Sequence, residues 1–100
     1  MLKRRYEILL PLGHNDGRPV SDEKLNQTRE ELVNQFDAIS VQPQSIQGIW
    51  VHEGIRYEDI SVHFSVDVND TPENRQFFLQ FKATLLERFE QVVKLRRTRF

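Results

Sequence analysis

The chain has 100 residues, of which 38% are hydrophobic and 29% are charged, with a net charge of −1 and no cysteine. This composition is typical of one soluble globular domain, and it excludes a disordered chain, a disulfide framework and thiolate chemistry. No apolar run approaches the ~20 residues that a membrane span needs. The short apolar stretch after Met1 alternates like a strand and lacks the cleavage site of a signal peptide. We therefore expect a cytoplasmic protein.

The charges are unevenly distributed. Half of the fourteen cations lie at the two ends of the chain, at Lys3, Arg4, Arg5, Lys94, Arg96, Arg97 and Arg99. Residues 6–93 hold the other seven cations and all fifteen carboxylates, a net charge of −8. If the two ends lie together, the molecule has a basic pole on an acidic body.

The first half of the chain begins with a strand and a helix. Residues 4–12 form a predicted strand, because every second residue is apolar, at Tyr6, Ile8, Leu10 and Leu12, while Arg5, Glu7 and Leu9 fall on the opposite face. Residues 13–20, GHNDGRPV, are interpreted as a loop because they are dense in turn residues. Their glycine spacing fits no phosphate-binding motif. Ser21 is a good N-cap for helix 1, whose apolar positions recur at helical spacing at Leu25, Leu32, Val33 and Phe36.

A hairpin is predicted next. Residues 39–53 contain Pro43 and Gly48, which indicates an irregular or edge strand. Residues 57–68 alternate regularly, with the apolar side at Ile60, Val62, Phe64, Val66 and Val68. A two- or four-residue turn around Gly54 would keep Ile49 and Val51 with this apolar set and place Trp50 with the polar one. A three- or five-residue turn would reverse the faces. We favour the first register, because two aliphatic residues belong in a core more readily than a tryptophan and a histidine.

Helix 2 begins at the DTPEN segment, with Thr71 as N-cap and Pro72 at the first helical position. Its apolar face is Phe77, Phe78, Phe81, Leu85 and Phe89, widened by Leu79 and Leu86. Residues 92–100 form a last strand. The order β-α-β-β-α-β predicts an α+β, ferredoxin-like plait over residues 1–100: a four-stranded antiparallel sheet in the order 4-1-3-2 with two helices on one face. The first and last strands are then neighbours, which brings the terminal cations together.

The open face of that sheet is the best place to look for a site. The first register puts a mixed polar set there, with the ligand or interface candidates Trp50, His52, Asp59, His63 and Glu7. A non-enzymatic homodimer interface or small-ligand site is one interpretation, since such faces are often covered by a second copy. A small enzyme that uses His52, Asp59 and His63 is the alternative.

The sequence gives only weak signals for metal binding or acid–base catalysis by these residues. A zinc site needs three or four converging ligands, and two histidines on neighbouring strands supply them only if the register brings them level. A His–Asp pair such as His52 with Asp59 can orient an imidazole for acid–base work, but no nucleophile stands beside it in the sequence. We therefore expect no metal, no cofactor and no assignable catalytic residue.

Nucleic-acid binding is disfavoured by the same face. An RNA-binding plait carries aromatic side chains on the open face of its central strands, whereas Tyr6 and Phe64 fall on the core side here. Only the basic pole supports an anionic partner. Its anion-binding candidates are Arg4, Arg5, Arg96, Arg97 and Arg99.

The segments YEILLPL, NDG, GIWVHEG, RYED and DTPEN, within residues 5–92, resemble a group of short uncharacterised bacterial proteins. That resemblance implies no activity and transfers no catalytic residue. The fold is more loosely similar to that of dimeric α/β-barrel proteins, in which two plaits pack sheet to sheet. Some of those proteins are monooxygenases, isomerases or regulatory ligand binders, but this chain matches none of their motifs, so the similarity is one of fold.

Overall fold

The order of elements follows the predicted one. The computed structural model describes residues 2–13, 18–90 and 93–99, apart from the side chains of residues 43–48, 50, 52, 57–59, 94 and 99. Its elements are β1 (Lys3–Pro11), α1 (Asp22–Phe36), β2 (Ser40–His52), β3 (Ile55–Asn69), α2 (Pro72–Phe89) and β4 (Lys94–Arg99). The strand ends differ from the predicted ones by no more than two residues. Residues 14–17 of the GHNDG loop lie outside the described residues.

The four strands form one antiparallel sheet in the order β2-β3-β1-β4, which is 4-1-3-2 when read from the β4 edge. β1 lies between β3 and β4, with Lys3 opposite Asn69, Pro11 opposite Ser61 and Arg4 opposite Arg99. The start of β1 is therefore flanked by the ends of β3 and β4. The α+β, ferredoxin-like class is confirmed.

Both helices begin where the sequence predicts. The Ser21 hydroxyl accepts a hydrogen bond from the Lys24 amide at 3.3 Å, and the Thr71 hydroxyl accepts one from the Asn74 amide at 3.2 Å. These bonds satisfy amides that have no partner inside a first helical turn. Both helices end at a residue in the left-handed region, Asp37 and Glu90.

The core lies between the helices and one face of the sheet, here called the helix-side face. Its most buried side chains come from both layers and include Ile8, Leu10, Leu32, Phe64, Val66, Phe78, Leu85 and Phe89. The rings of Tyr6 and Phe78 stack with centroids 3.8 Å apart and join β1 to α2. The other face of the sheet, the open face, carries no helix. Within the described residues, no helix is long and apolar enough to cross a membrane.

The β2–β3 hairpin extends beyond the rest of the sheet. β1 pairs with β3 between Ser61 and Asn69, and the Leu12 amide donates one further hydrogen bond to the Ile60 carbonyl, so residues 55–59 pair with β2 alone. Residues 46–60 are here called the hairpin arm. At a rise of about 3.3 Å per residue the arm is roughly 20 Å long, and it makes the molecule elongated, with extents of 52, 26 and 21 Å.

The turn of the arm selects the first of the two predicted registers. His52 pairs with Ile55 across the two-residue turn Glu53–Gly54. Both turn residues have positive φ, 51° and 78°, as a type I′ hairpin turn requires. Ile49 and Val51 consequently share the helix-side face with Ile60 and Val62.

The depth of burial predicted for those residues is wrong. Ile49, Val51 and Ile60 are 52%, 69% and 37% exposed, because the arm continues past the helices that cover the sheet. The prediction that Leu79 and Leu86 extend the apolar face of α2 is also wrong, because these side chains are 69% and 39% exposed. In β2 and β3 the alternation of apolar and polar residues therefore extends past the part of the sheet that the helices cover.

Candidate functional site on the open face of the sheet

One polar row crosses all four strands on the open face. Glu7 of β1 stands opposite Arg96 of β4, and its neighbour Leu9 stands opposite His63 of β3. The Arg96 Nε donates to Glu7 Oε2 at 2.9 Å, and His63 Nε2 lies 3.5 Å from Glu7 Oε1. His63 Nδ1 lies 2.9 Å from Oε1 of Gln42 on β2. The row thus runs Gln42–His63–Glu7–Arg96.

The protonation of His63 decides how the row is bonded. An amide oxygen only accepts, so the ring nitrogen beside Gln42 Oε1 is the donor in this geometry. The neutral ring then presents an acceptor to the Glu7 carboxylate, whereas the protonated ring donates from both nitrogens. Within the described residues, His63 Nε2 is buried without a hydrogen bond, and so is the hydroxyl of Ser61 two positions earlier on the same face.

A second ion pair borders the row. Arg5 Nε and Nη2 donate to the two carboxylate oxygens of Asp67 at 2.7 and 3.0 Å. These hydrogen bonds hold the pKa of the Asp67 carboxyl below its usual value, against a small opposing effect of burial, and they raise the pKa of Arg5. The pair fixes the orientation of the Arg5 guanidinium at the edge of the site.

Between these groups the open face is slightly concave. A depression of about 280 Å³ is lined by Arg5, Glu7, Ser40, Val41, Gln42, His63 and Ser65. Of its charged lining residues, Arg5 is paired with Asp67 and Glu7 is paired with Arg96, so the depression carries little net charge. Its hydrogen-bonding groups suit a polar surface or a small polar ligand. The His63 ring lies beside Gln42 Oε1 and Glu7 Oε1, and among the described residues no hydroxyl is bonded to it that it could activate as a nucleophile.

The structure brings together two of the five open-face candidates, Glu7 and His63. Trp50 pairs with Tyr57, and Gly48 with Asp59, but the side chains of Trp50, His52 and Asp59 lie outside the described residues. His52 pairs with Ile55, eight residues from His63 along β3, which is roughly 27 Å of strand. The register therefore does not bring the two histidines level, as a shared metal or catalytic site would require. Within the described residues, no three His, Cys, Asp or Glu side chains are grouped for a metal ion.

At least three of the seven cations of the basic pole form ion pairs with carboxylates. Arg4 pairs with Asp70 at 3.1 Å, Arg5 with Asp67 and Arg96 with Glu7. Arg97 is exposed and lies on the helix-side face, opposite Tyr6. The side chain of Arg99 lies outside the described residues. Anion binding at this pole remains a prediction, and the carboxylates beside it weaken its charge.

Three partners in these contacts escaped the sequence reasoning: Gln42, Asp67 as an ion-pair partner, and Asp70. Gln42 precedes a pairing irregularity between Gln42 and Ser45, so its position opposite His63 has no clear signal in the sequence. The two aspartates have one: an antiparallel β1–β3 pair places the end of β3 beside the start of β1.

Comparisons with known proteins support the fold alone. No protein-family model and no curated protein matches the chain. Among solved structures, the chain is similar to the divalent cation tolerance protein (Cut A1) from Thermus thermophilus, with 15% identity and a TM-score of 0.60. The similarity covers 99% of this chain and 84% of that one. It agrees with the ferredoxin-like class, and at this identity it transfers no function.

Proposed function

We propose that this protein is a non-enzymatic homo-oligomeric module whose copies associate through the hairpin arm. The observation that carries the proposal is the exposed aliphatic surface on the helix-side face of the hairpin. Among the described side chains, four that are each between 37% and 69% exposed contribute to it: Val41, Ile49, Val51 and Ile60. The partner is a second copy of the chain.

The position of this surface favours a second copy over a bare surface. Val41 stands opposite Phe64 and shares its face, so the aliphatic surface begins at the edge of the core and continues along the arm. Burial of apolar surface contributes about 25 cal/mol per Å², and contiguous exposed apolar patches mark interaction sites. A two-fold axis that lays one arm against the other buries the same residues twice, as an isologous dimer does.

The open face supports a binding or structural role over catalysis. Its described side chains Arg5, Glu7, Asp67 and Arg96 form ion pairs with one another, and the register separates the candidates His52 and His63 along the hairpin. We place the interface on the helix-side face of the hairpin, because the exposed side chains Val41, Ile49, Val51 and Ile60 share that face, and an interface on the open face stays a prediction.

Sedimentation velocity over a range of protein concentrations tests the proposal. The variant Ile49→Ser/Val51→Ser removes the apolar surface, and Leu79→Ser is its matched control because Leu79 and Val51 are both 69% exposed. We expect the wild type and Leu79→Ser to self-associate, and the double variant to weaken association by at least about tenfold, since each lost aliphatic contact is worth roughly 1 kcal/mol or more.

Circular dichroism and a denaturant unfolding curve show whether the double variant retains its fold, so that loss of assembly is separated from unfolding. A wild type that remains monomeric at millimolar concentration would refute the proposal. So would a folded double variant that associates as tightly as the wild type.

A further inference from the structure

Helix α2 has two different flanks. The flank toward α1 is fully engaged: Arg88 donates to Thr28 Oγ1 at 2.8 Å and to Glu31 Oε1 at 2.6 Å. The flank toward β4 carries Arg75, Leu79 and Lys82, spaced to lie on one side of the helix. All three are exposed. This second flank therefore presents cations and an aliphatic side chain without a covering element.

A depression of about 360 Å³ separates that flank from β4 and is here called the α2–β4 groove. It is lined by Tyr6, Arg75, Phe78, Leu79, Lys82, Leu95 and Arg97. Tyr6 and Phe78 are 4% and 1% exposed and stack on each other, so they form a fixed apolar floor. Its volume lies at the lower end of the roughly 300–1,000 Å³ of small-molecule sites, which combine apolar walls with a few polar groups.

The charge of the groove is of one sign. Three of its seven lining residues are cationic and none is acidic. Within the described part of the chain, no ion pair involves Arg75, Lys82 or Arg97. Arg4, Arg5, Arg88 and Arg96 each form an ion pair with a carboxylate, and the three groove cations differ from these four in that respect. Guanidinium groups bind carboxylates in a bidentate manner when no internal partner competes.

We propose that the α2–β4 groove binds a small amphiphilic carboxylate, with its alkyl chain on Tyr6, Phe78 and Leu79 and its carboxylate among the three cations. The apolar floor selects against an inorganic anion, and the cations select against a neutral or cationic amphiphile. The groove is separate from the hairpin arm, so this inference does not depend on the proposed assembly.

Nuclear magnetic resonance titration of the ¹⁵N-labelled protein with sodium octanoate tests the groove. We expect amide shifts confined to residues 75–82 and 95–97, with a dissociation constant of about 1 mM, as for a ligand of this size with average efficiency. Acetate tests the charge alone and octylamine tests the alkyl chain with the opposite charge. Both should bind at least about fivefold more weakly than octanoate.

Substitution separates the two parts of the site. Arg75→Gln/Lys82→Gln/Arg97→Gln should weaken octanoate binding by at least about tenfold, since exposed ion pairs contribute up to about fivefold each. Arg29→Gln on α1, an exposed arginine outside the groove, should leave it unchanged. Leu79→Ser should weaken octanoate and leave acetate unaffected. All these residues are exposed, so the variants are expected to fold, and their amide spectra verify it.

Several outcomes would overturn the proposal. Acetate binding as tightly as octanoate would reduce the groove to a simple anion patch, and octylamine binding equally well would remove the role of the cations. A hexaglutamate peptide that binds the groove more tightly than octanoate would indicate an acidic protein partner instead. Octanoate shifts located on the hairpin arm would place apolar binding there.

Discussion

Phe64 and Ile60 stand four residues apart on the same face of β3, yet Phe64 is 2% exposed and Ile60 is 37% exposed. Both belong to one unbroken alternation of apolar and polar residues. The difference lies in what covers them: Phe64 packs in the core beneath the helices, whereas Ile60 lies in the hairpin arm beyond β1. Alternation therefore determines which face a residue occupies, and the placement of the helices determines whether that face is covered.

The sheet therefore has two parts that differ in what stabilises them, a body packed against the helices and the hairpin arm. The body of the sheet is held by a core that includes Phe64, Val66 and Val68, and disrupting it should unfold the chain. Within one copy the arm is held by β2–β3 pairing and, at its base, by a hydrogen bond from the Leu12 amide to the Ile60 carbonyl at 2.9 Å. An isolated two-stranded hairpin is only marginally stable in water. Packing against a second copy should therefore stabilise the arm more than it stabilises the body of the sheet.

The largest expected effect comes from truncating the two residues of the comparison. Phe64→Ala should lower the free energy of unfolding by about 3–5 kcal/mol, because it leaves a cavity in the core. Ile60→Ala should lower it by less than about 1 kcal/mol in dilute solution, since Ile60 is already partly hydrated. Guanidinium unfolding measures both.

Repeating these curves at high protein concentration sharpens the comparison. If the arm is covered by a second copy, the cost of Ile60→Ala should increase with concentration while that of Phe64→Ala changes little, because only assembly buries Ile60 further. Equal costs for the two substitutions in dilute solution would contradict the distinction between body and arm.

A smaller effect, confined to the arm, is expected from Gly54→Ala. Gly54 has φ of 78°, where an alanine Cβ costs roughly 1 kcal/mol, and no heavy atom lies within 4 Å of the Cβ position, so the cost is conformational. Hydrogen exchange of amides in residues 46–60 should quicken about fivefold, with little change in global unfolding. Gly13→Ala, where φ is outside the left-handed region, is the control. A global loss of stability from Gly54→Ala would show that the arm and the body unfold together.

Much of the fold could be predicted because its signals are local. Ser21 and Thr71 mark the helix starts. The sequence favours, without deciding it, the register that places Ile49 and Val51 with Ile60, and the two-residue turn at Glu53–Gly54 selects that register. Glu7 and His63 could be assigned to one face from alternation and strand order alone, and their approach to 3.5 Å agrees with that assignment.

What could not be predicted depends on distances along and across the sheet. The length of the arm beyond β1 follows from where β1 stops pairing, at Pro11 opposite Ser61, and this separates His52 from His63. Gln42 reaches His63 through a strand with two irregularities in its pairing, and period-2 counting fails across such breaks. The charge of the basic pole is lower than the sequence suggests, because the end of β3 brings Asp67 and Asp70 beside the start of β1.

That last point leads to the smallest expected effect, at the Arg5–Asp67 pair. The pKa of Asp67 is lowered in the folded chain, chiefly by hydrogen bonds from Arg5, so the pair stabilises the fold above the usual carboxyl range near pH 4 and loses this contribution as the pH falls through the lowered pKa. Asp67→Asn should therefore lower Tm by about 2–4 °C at pH 7, the size expected for a partly exposed pair. The difference from the wild type should narrow as the pH falls below the usual carboxyl range and through the lowered pKa of Asp67. Thermal unfolding from pH 7 to pH 2 measures it, with Glu87→Gln, an exposed carboxylate of α2, as control. A difference that stays constant with pH would mean that Asp67 acts through packing and not through its charge.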